Sequence, residues 1–221
     1  MAIGLRDTAL DALLSQGLAE LGLDCPLAVR ARLLDYVRLL DKWNRVYNLT
    51  AVREPREMVT RHILDSLAVL PYLHGHRVLD VGTGAGLPGI PLALLCPERE
   101  FVLLDSNNKK TRFVQQAVTE LGLVNVQVVQ ARVEDYRPDA LFDTVISRAF
   151  ATIADMLAQA GRHCAQDGVL LAMKGALPNE ELAALPSGYN VQAVHRLSVP
   201  GLKEERHLVC LTVEAGMRRD S

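Results

Sequence analysis

The stretch formed by residues 77–89 restricts this chain more than any other. An apolar run of strand type, Val78, Leu79 and Val81, enters a loop with glycine at every second position, Gly82, Gly84 and Gly86. A helical pattern follows at once with Ile90, Leu92, Ala93, Leu94 and Leu95. Strand, glycine loop and helix form the first βα turn of a nucleotide-binding α/β fold. Glycine lets that turn bend sharply and lets a ligand approach the backbone, because no Cβ intervenes. The spacing is G-x-G-x-G rather than the G-x-G-x-x-G of dinucleotide sites. Pro88 and Pro91 fall in the expected first helical turn, and each removes an N–H that a pyrophosphate would use. The loop therefore suits a ligand without phosphate, such as S-adenosylmethionine; the plainer alternative is a tight turn between a core strand and a core helix.

The 221 residues suit one domain or a domain with an added helical segment, and 49% hydrophobic residues supply a core. A net charge of -2 excludes a globally basic surface, so any nucleic-acid contact comes from a local patch. Cys25, Cys96, Cys164 and Cys210 lie far apart, with no C-x-x-C pair and no zinc spacing. That usage points to a reduced, cytosolic compartment and no metal site. No apolar run has the length of a membrane span or a signal-peptide core.

Taken in order, residues 5–23 read as an amphipathic helix with Leu10, Leu13, Leu14, Leu18 and Leu21 at helical spacing. A second helix after Pro26 carries Leu33, Leu34, Val37 and Leu40. The segment 41–50 breaks the pattern; Trp43 there is either a packing anchor or a ligand-facing aromatic. A third helix is predicted over 55–70, with Ile63, Leu64, Leu67 and Leu70 inward and Arg61 and His62 placed to meet Asp65. Residues 74–76 read as a solvated turn. Strands are predicted at 101–104, 126–129, 142–146, 168–173, 189–197 and 207–213, with helices at 108–121 and about 151–164. The alternation implies a mostly parallel sheet with helices on both faces, closed by an antiparallel hairpin. Ligands in such sheets bind beyond the carboxyl ends of the strands.

Four strand ends carry candidates. Asp105, 23 positions after Gly82, is placed to accept from both ribose hydroxyls; its alternative, a helix N-cap, is better filled by Ser106, Asn107 or Asn108. In Ala131-Arg132-Val133-Glu134-Asp135 a carboxylate could accept from an adenine amine and Val133 could meet the ring, or the segment caps a helix. Arg148, in Ser147-Arg148-Ala149-Phe150, holds a phosphate or carbonyl oxygen, or else forms a salt bridge with Asp143 or Asp155. Lys174-Gly175 ends the next strand. The Asn/Asp-Pro-Pro-aromatic motif of amine methylation and a strand-end cysteine for ring-carbon methylation are both missing from these ends. Lys109, Lys110 and Arg112, with Arg45, Arg53, Arg56 and Arg61, could form a phosphate-tracking rim; Arg218 and Arg219 read as a tail.

With these residues assembled, the chain resembles the glucose-inhibited division B family of bacterial small-subunit ribosomal RNA guanine-N7 methyltransferases. The resemblance runs over nearly the whole chain. It rests on Lys42-Trp43-Asn44 with Asn48-Leu49-Thr50, Arg61-His62-Ile63-Leu64-Asp65-Ser66, the stretch from Asp80 to Gly89, Ile146-Ser147-Arg148-Ala149-Phe150, and Lys174-Gly175. It implies a Rossmann-like class I methyltransferase with a seven-stranded sheet (residues 71–221) and an N-terminal helical extension (1–70). It implies S-adenosylmethionine as cofactor and small-subunit ribosomal RNA, naked or in a particle, as partner, in a cytoplasmic monomer. Gly82, Leu87, Val133, Glu134 and Arg148 match cofactor-binding positions, to which the glycine-loop and strand-end arguments add Asp80, Gly84 and Asp105. Arg148 is also the catalytic candidate, and Arg61, His62, Lys174 and Arg206 are candidates for the RNA side. The rivals are a nicotinamide-dependent dehydrogenase, disfavoured by the loop spacing and prolines, and a non-catalytic RNA-binding assembly factor.

Overall fold

A computed structural model of the chain describes residues 2–148 and 150–214, with side chains from Thr8 onward. Arg218 and Arg219 lie outside the described residues. Helices α1 (Ala2–Glu20) and α2 (Leu27–Tyr47) lead into α3 (Pro55–Met58), a π-helical stretch (Val59–Leu64), α4 (Asp65–Leu67) and a 3₁₀ turn (Leu70–Tyr72). The α/β run follows: β1 (Arg77–Val81), α5 (Gly89–Leu95), β2 (Glu100–Asp105), α6 (Asn108–Glu120), β3 (Val126–Gln130), β4 (Phe142–Ser147) and α7 (Ile153–Ala160). A 3₁₀ turn (Gly161–His163), β5 (Cys164–Lys174), α8 (Asn179–Ala183), β6 (Tyr189–Arg196) and β7 (His207–Val213) complete it.

The strands form one sheet in the order β3-β2-β1-β4-β5-β7-β6, parallel from β3 to β5 and antiparallel through β7 and β6. Strand order reverses between β1 and β4, the topological switch point where ligands collect in open α/β sheets. Alternating side chains serve two cores. Val78, Phe101, Leu103, Val169 and Leu171 face the cluster built with α1, α2, α5 and α6. Leu79, Val81, Val102, Leu104 and Leu170 face the cluster under α7. Burial on both faces explains why the inner strands β2, β4, β5 and β7 are largely apolar runs, while β3 and β6 at the two edges alternate with polar residues.

The N-terminal helices belong to the first of these cores, through Leu14, Leu33, Tyr36 and Leu40. Trp43 is the packing anchor of the two alternatives: its ring lies 5.6 Å from Phe113 of α6 and 5.2 Å from Tyr47. Buried Asn44 ties down the loop that follows, accepting from the Thr50 N–H (2.9 Å) and donating to the Val52 carbonyl (2.9 Å).

Two sequence expectations need correction. The helix expected over 55–70 is interrupted by the π stretch, which has no signature in apolar spacing. The helix expected over 151–164 stops at Ala160, and β5 starts at Cys164 because Phe142 of β4 already pairs there. Residues 74–76 form the exposed turn expected, with Gly75 at φ +61°, and the Asp143 carboxylate anchors it by accepting from the N–H groups of His76 (2.6 Å) and Arg77 (2.8 Å). A Cβ on Gly75 would sit 2.3 Å from Asp143.

Candidate active site

Two cavities open at the carboxyl ends of the strands. The first, of about 200 Å³, is lined by Val81, Gly82, Leu104, Asp105, the 131–134 segment and Phe150. The second, of about 370 Å³, is lined among others by Arg61, His62, Asp65, Arg148, Lys174 and Arg206. The residues just after β4 divide them, Arg148 lining the second and Phe150 the first.

The glycine loop that floors the first cavity is bent by positive φ at Gly82 (+68°), Gly84 (+61°) and Gly86 (+87°). Its amides are already engaged. Gly82 and Thr83 donate to the Leu104 carbonyl (2.8 and 3.0 Å), Gly86 and Leu87 to the Thr83 carbonyl (2.9 and 2.8 Å), and Ile90 to the Gly86 carbonyl (2.8 Å). Gly84 donates to Asp105 Oδ2 (2.8 Å) and Gly89 to Asp80 Oδ2 (2.9 Å). Pro88 and Pro91 have no amide to give. A phosphate would find few donors here, a stronger exclusion than the prolines alone supply.

Asp80 is fully buried behind this loop. Its Oδ2 also accepts from Thr83 Oγ1 at 2.6 Å, so it organises the turn from the side away from the cavity. Burial pushes its carboxyl up to about 6 despite those hydrogen bonds. Gly89 must be glycine: a Cβ there would meet Leu103 at 2.1 Å and Asp80 Oδ2 at 2.8 Å. Leu87 is a core side chain, 3% exposed, and does not line either cavity. Asp105 does line the first. Its oxygens accept from Gly84 N and Asn107 N, each at 2.8 Å, while Asn107 itself caps α6. A carboxylate has about four acceptor directions, so lone pairs remain for two vicinal hydroxyls. Val133 and Glu134 sit on a turn, not at a helix start, and line the opposite wall. That turn is gripped from behind, an arrangement with no sequence signal. Arg162 Nη2 donates to the carbonyls of Val133 (3.0 Å) and Glu134, and His163 Nε2 donates to that of Val133 (3.1 Å).

In the second cavity the structure joins Arg61, His62, Arg148, Lys174 and Arg206, from four separate parts of the chain. Arg148, expected among the cofactor residues, lines this cavity and not the first. The alternative partners named for it from the sequence are wrong: Asp143 is held by the 74–77 turn, and Asp155 by Thr152 Oγ1 at 2.6 Å. Arg148 Nη1 instead reaches Asp65 Oδ2 at 3.2 Å, and Arg206 Nε reaches Asp65 Oδ1 at 2.9 Å. Arg61 does not pair with Asp65 as its spacing suggested, but with Glu204. Lys174 Nζ is held by Glu181 (2.9 Å) and the Ala151 carbonyl (2.8 Å). Asp65 and His207 are the ionisable residues of this cavity that were not singled out for it; membership of Asp65 in the 61–66 motif was the available signal.

His62 is closed off as a base. Its Nδ1–H donates to the Arg61 carbonyl (3.0 Å), which leaves Nε2 to accept from Thr50 Oγ1 (2.9 Å). Burial, with Arg148 nearby, lowers its pKa to about 4.

This sheet order, with a bare-backbone loop after β1 and a carboxylate at the tip of β2, defines a class I methyltransferase whose cofactor is S-adenosylmethionine. The fold recurs in the glycopeptide N-methyltransferase MtfA complexed with S-adenosyl-L-homocysteine (TM-score 0.60, 13% identity, 69% of this chain and 87% of that one). It recurs also in a SAM-dependent methyltransferase from Aquifex aeolicus (TM-score 0.56, 19% identity, 81% and 98%). Residues 30–209 match the family described as GidB, rRNA small subunit methyltransferase G, and the chain belongs to that family. Relatives named ribosomal RNA small subunit methyltransferase G include those of Nitrosococcus oceani (54% identical over 205 residues, 93% of this chain and 96% of the relative) and Methylococcus capsulatus (55% over 196 residues, 89% and 95%).

Proposed function

We propose that this enzyme methylates N7 of a guanine in small-subunit ribosomal RNA. The observation that carries this is the adjacency of two cavities across the end of β4, one shaped for a phosphate-free nucleoside and the other lined with cations. Gly82, Asp105, Val133 and Glu134 would hold the adenosine portion, with Asp105 on the ribose hydroxyls and the 133–134 turn on the adenine. Asp80, Gly84 and Leu87 act on the cofactor through the shape of the loop rather than by touching it. Bound there, S-adenosylmethionine supplies a methyl group on a positively charged sulfur.

Guanine N7 has an in-plane lone pair and no proton. Forming the N7–carbon bond while the carbon–sulfur bond breaks needs no proton acceptor, in keeping with the engaged nitrogens of His62. Catalysis then consists of holding N7 in line with the methyl carbon, an orientation effect. Arg148 is the catalytic candidate because it stands where the two cavities meet. It cannot use the common two-point arginine grip on guanine, since that grip covers N7. Arg61, His62, Lys174 and Arg206 form the wall that receives the RNA, with the target base unstacked to enter.

In this proposal residues 1–70 are a helical extension and residues 71–221 the catalytic core, sharing one apolar cluster. The enzyme acts as a cytoplasmic monomer on RNA, naked or within a particle. Among the described residues no helix is long and apolar enough to cross a membrane. The test is transfer of tritiated methyl to ribosomal RNA and to small subunits, followed by nucleoside analysis. Label in 7-methylguanosine is the expected result; label in another nucleoside, or none, overturns the proposal.

A further inference from the structure

We propose that Asp65 is a positioning residue for methyl transfer, a buried carboxylate that yokes Arg148 and Arg206 into one unit of single positive charge that receives one RNA phosphate. This rests on the function proposed above. Asp65 is 1% exposed yet lines the second cavity, and its two oxygens hold the two guanidinium groups separately. The three residues come from the start of α4, the end of β4 and the loop before β7, so the yoke fixes parts of the chain that share no element.

The charges of the cavity wall show what is left for a ligand. Arg61 is matched by Glu204 and Lys174 by Glu181. Among the described residues Arg148 and Arg206 form their ion pairs with the one carboxylate of Asp65, two cations to one anion. A phosphodiester carries one negative charge and takes guanidinium N–H groups in pairs. The base edge is the poorer target, because an arginine fork on guanine would cover the atom that reacts. Phosphate contacts fix register and orientation rather than sequence, which is what in-line transfer requires. The π stretch makes the arrangement possible. One extra residue in a turn rotates the following chain by about 100° relative to an α-helix. Arg61 is thereby free to meet Glu204, and Asp65 turns inward.

The test uses the full chain with Asp65→Asn, which keeps the shape and removes the charge. S-adenosylmethionine affinity, read by calorimetry, should stay within about twofold, because Asp65 lies outside the first cavity. RNA affinity at low salt should hold or rise, and its logarithm should fall more steeply with log salt, by roughly 0.7–0.9 for the added cation. The single-turnover methyl-transfer rate should drop by about 100-fold as orientation is lost. A rate within threefold of wild type, or a salt slope unchanged or shallower, overturns the assignment. In the Arg148→Gln background, Asp65→Asn should add little further loss of rate, whereas full additivity would mean the two act independently. If Asp65→Asn does not fold, Arg206→Gln decides: its salt slope should become shallower by a similar amount, and an unchanged slope overturns the assignment. A wild-type enzyme that methylates no RNA would instead defeat the function on which this rests.

Discussion

Asp105 spends its two oxygens on backbone amides of the glycine loop and of the α6 entry, and still faces the cavity. Hydrogen bonds to a charged group contribute about 1.5–3 kcal/mol each. Asp105→Ala should therefore weaken S-adenosylmethionine binding by about 10- to 100-fold in calorimetry while RNA affinity changes little. Arg148→Gln should lower the methyl-transfer rate by about 100-fold or more, the usual loss when one donor is removed from a reacting centre. The fold should survive, because Asp65 keeps Arg206 and is not left as a bare buried charge; circular dichroism and a rate measurement on one preparation check both halves. His62, lowered to about 4, is neutral throughout the neutral range, with its free lone pair taken by Thr50. The single-turnover rate should then be nearly flat from about pH 6.5 to about 8.5. A rise of tenfold per pH unit would reveal a general base. For stability the sign runs the other way from a salt-bridged histidine. Below about pH 6.5 the unfolded chain takes up a proton that buried His62 refuses, so this residue favours unfolding increasingly as pH falls towards 4.

At the scale of elements, α2 is a brace for the cofactor loop. Tyr36, fully buried, donates its hydroxyl to the Ala85 carbonyl at 2.5 Å and packs near Phe113 (ring centroids 6.3 Å apart). Tyr36→Phe keeps the ring and strands a buried carbonyl, at a cost of about 1–3 kcal/mol. Where that cost falls on the loop, the KM for S-adenosylmethionine should rise several-fold with kcat for RNA little changed; an unaltered KM with a lowered Tm would make the bond purely structural. Elements were unevenly legible. α2 and α6 announce themselves by apolar spacing, and the βα turn by glycine and proline, because those patterns are local consequences of burial and of backbone freedom. The π stretch was not legible, since apolar spacing over 55–70 does not record which carbonyl each backbone N–H reaches. Nor was the β5 start, which is set by pairing with Phe142 across the sheet.

For the whole molecule, both cores and both cavities hang on one sheet, and the walls of the first cavity come from β1, β2, the turn after β3 and the chain after β4. A ligand bound only by the native state stabilises all of it by mass action. At 100 times Kd the gain is about 2.7 kcal/mol, which should raise Tm by roughly 5–10 °C for a chain of this size. A thermal scan with S-adenosylmethionine checks this, and the Asp105→Ala chain, with Kd weakened about 10- to 100-fold, should lose about half or more of that shift at the same ligand concentration. The sequence by itself determined the sheet's βα alternation, the phosphate-poor glycine loop, the acidic tip of β2 and the family, because each is written in residues adjacent along the chain. Tertiary structure alone decided that Arg148 belongs with Arg206 on Asp65, that Arg61 goes to Glu204, and that Arg162 and His163 hold the 133–134 turn. Those partners are far apart in sequence, and a charged side chain's spacing along a helix says nothing about which distant group folding will carry to it. Burial then enforced the choice, since the Asp65 carboxylate out of water must be paired wherever the chain brings cations together.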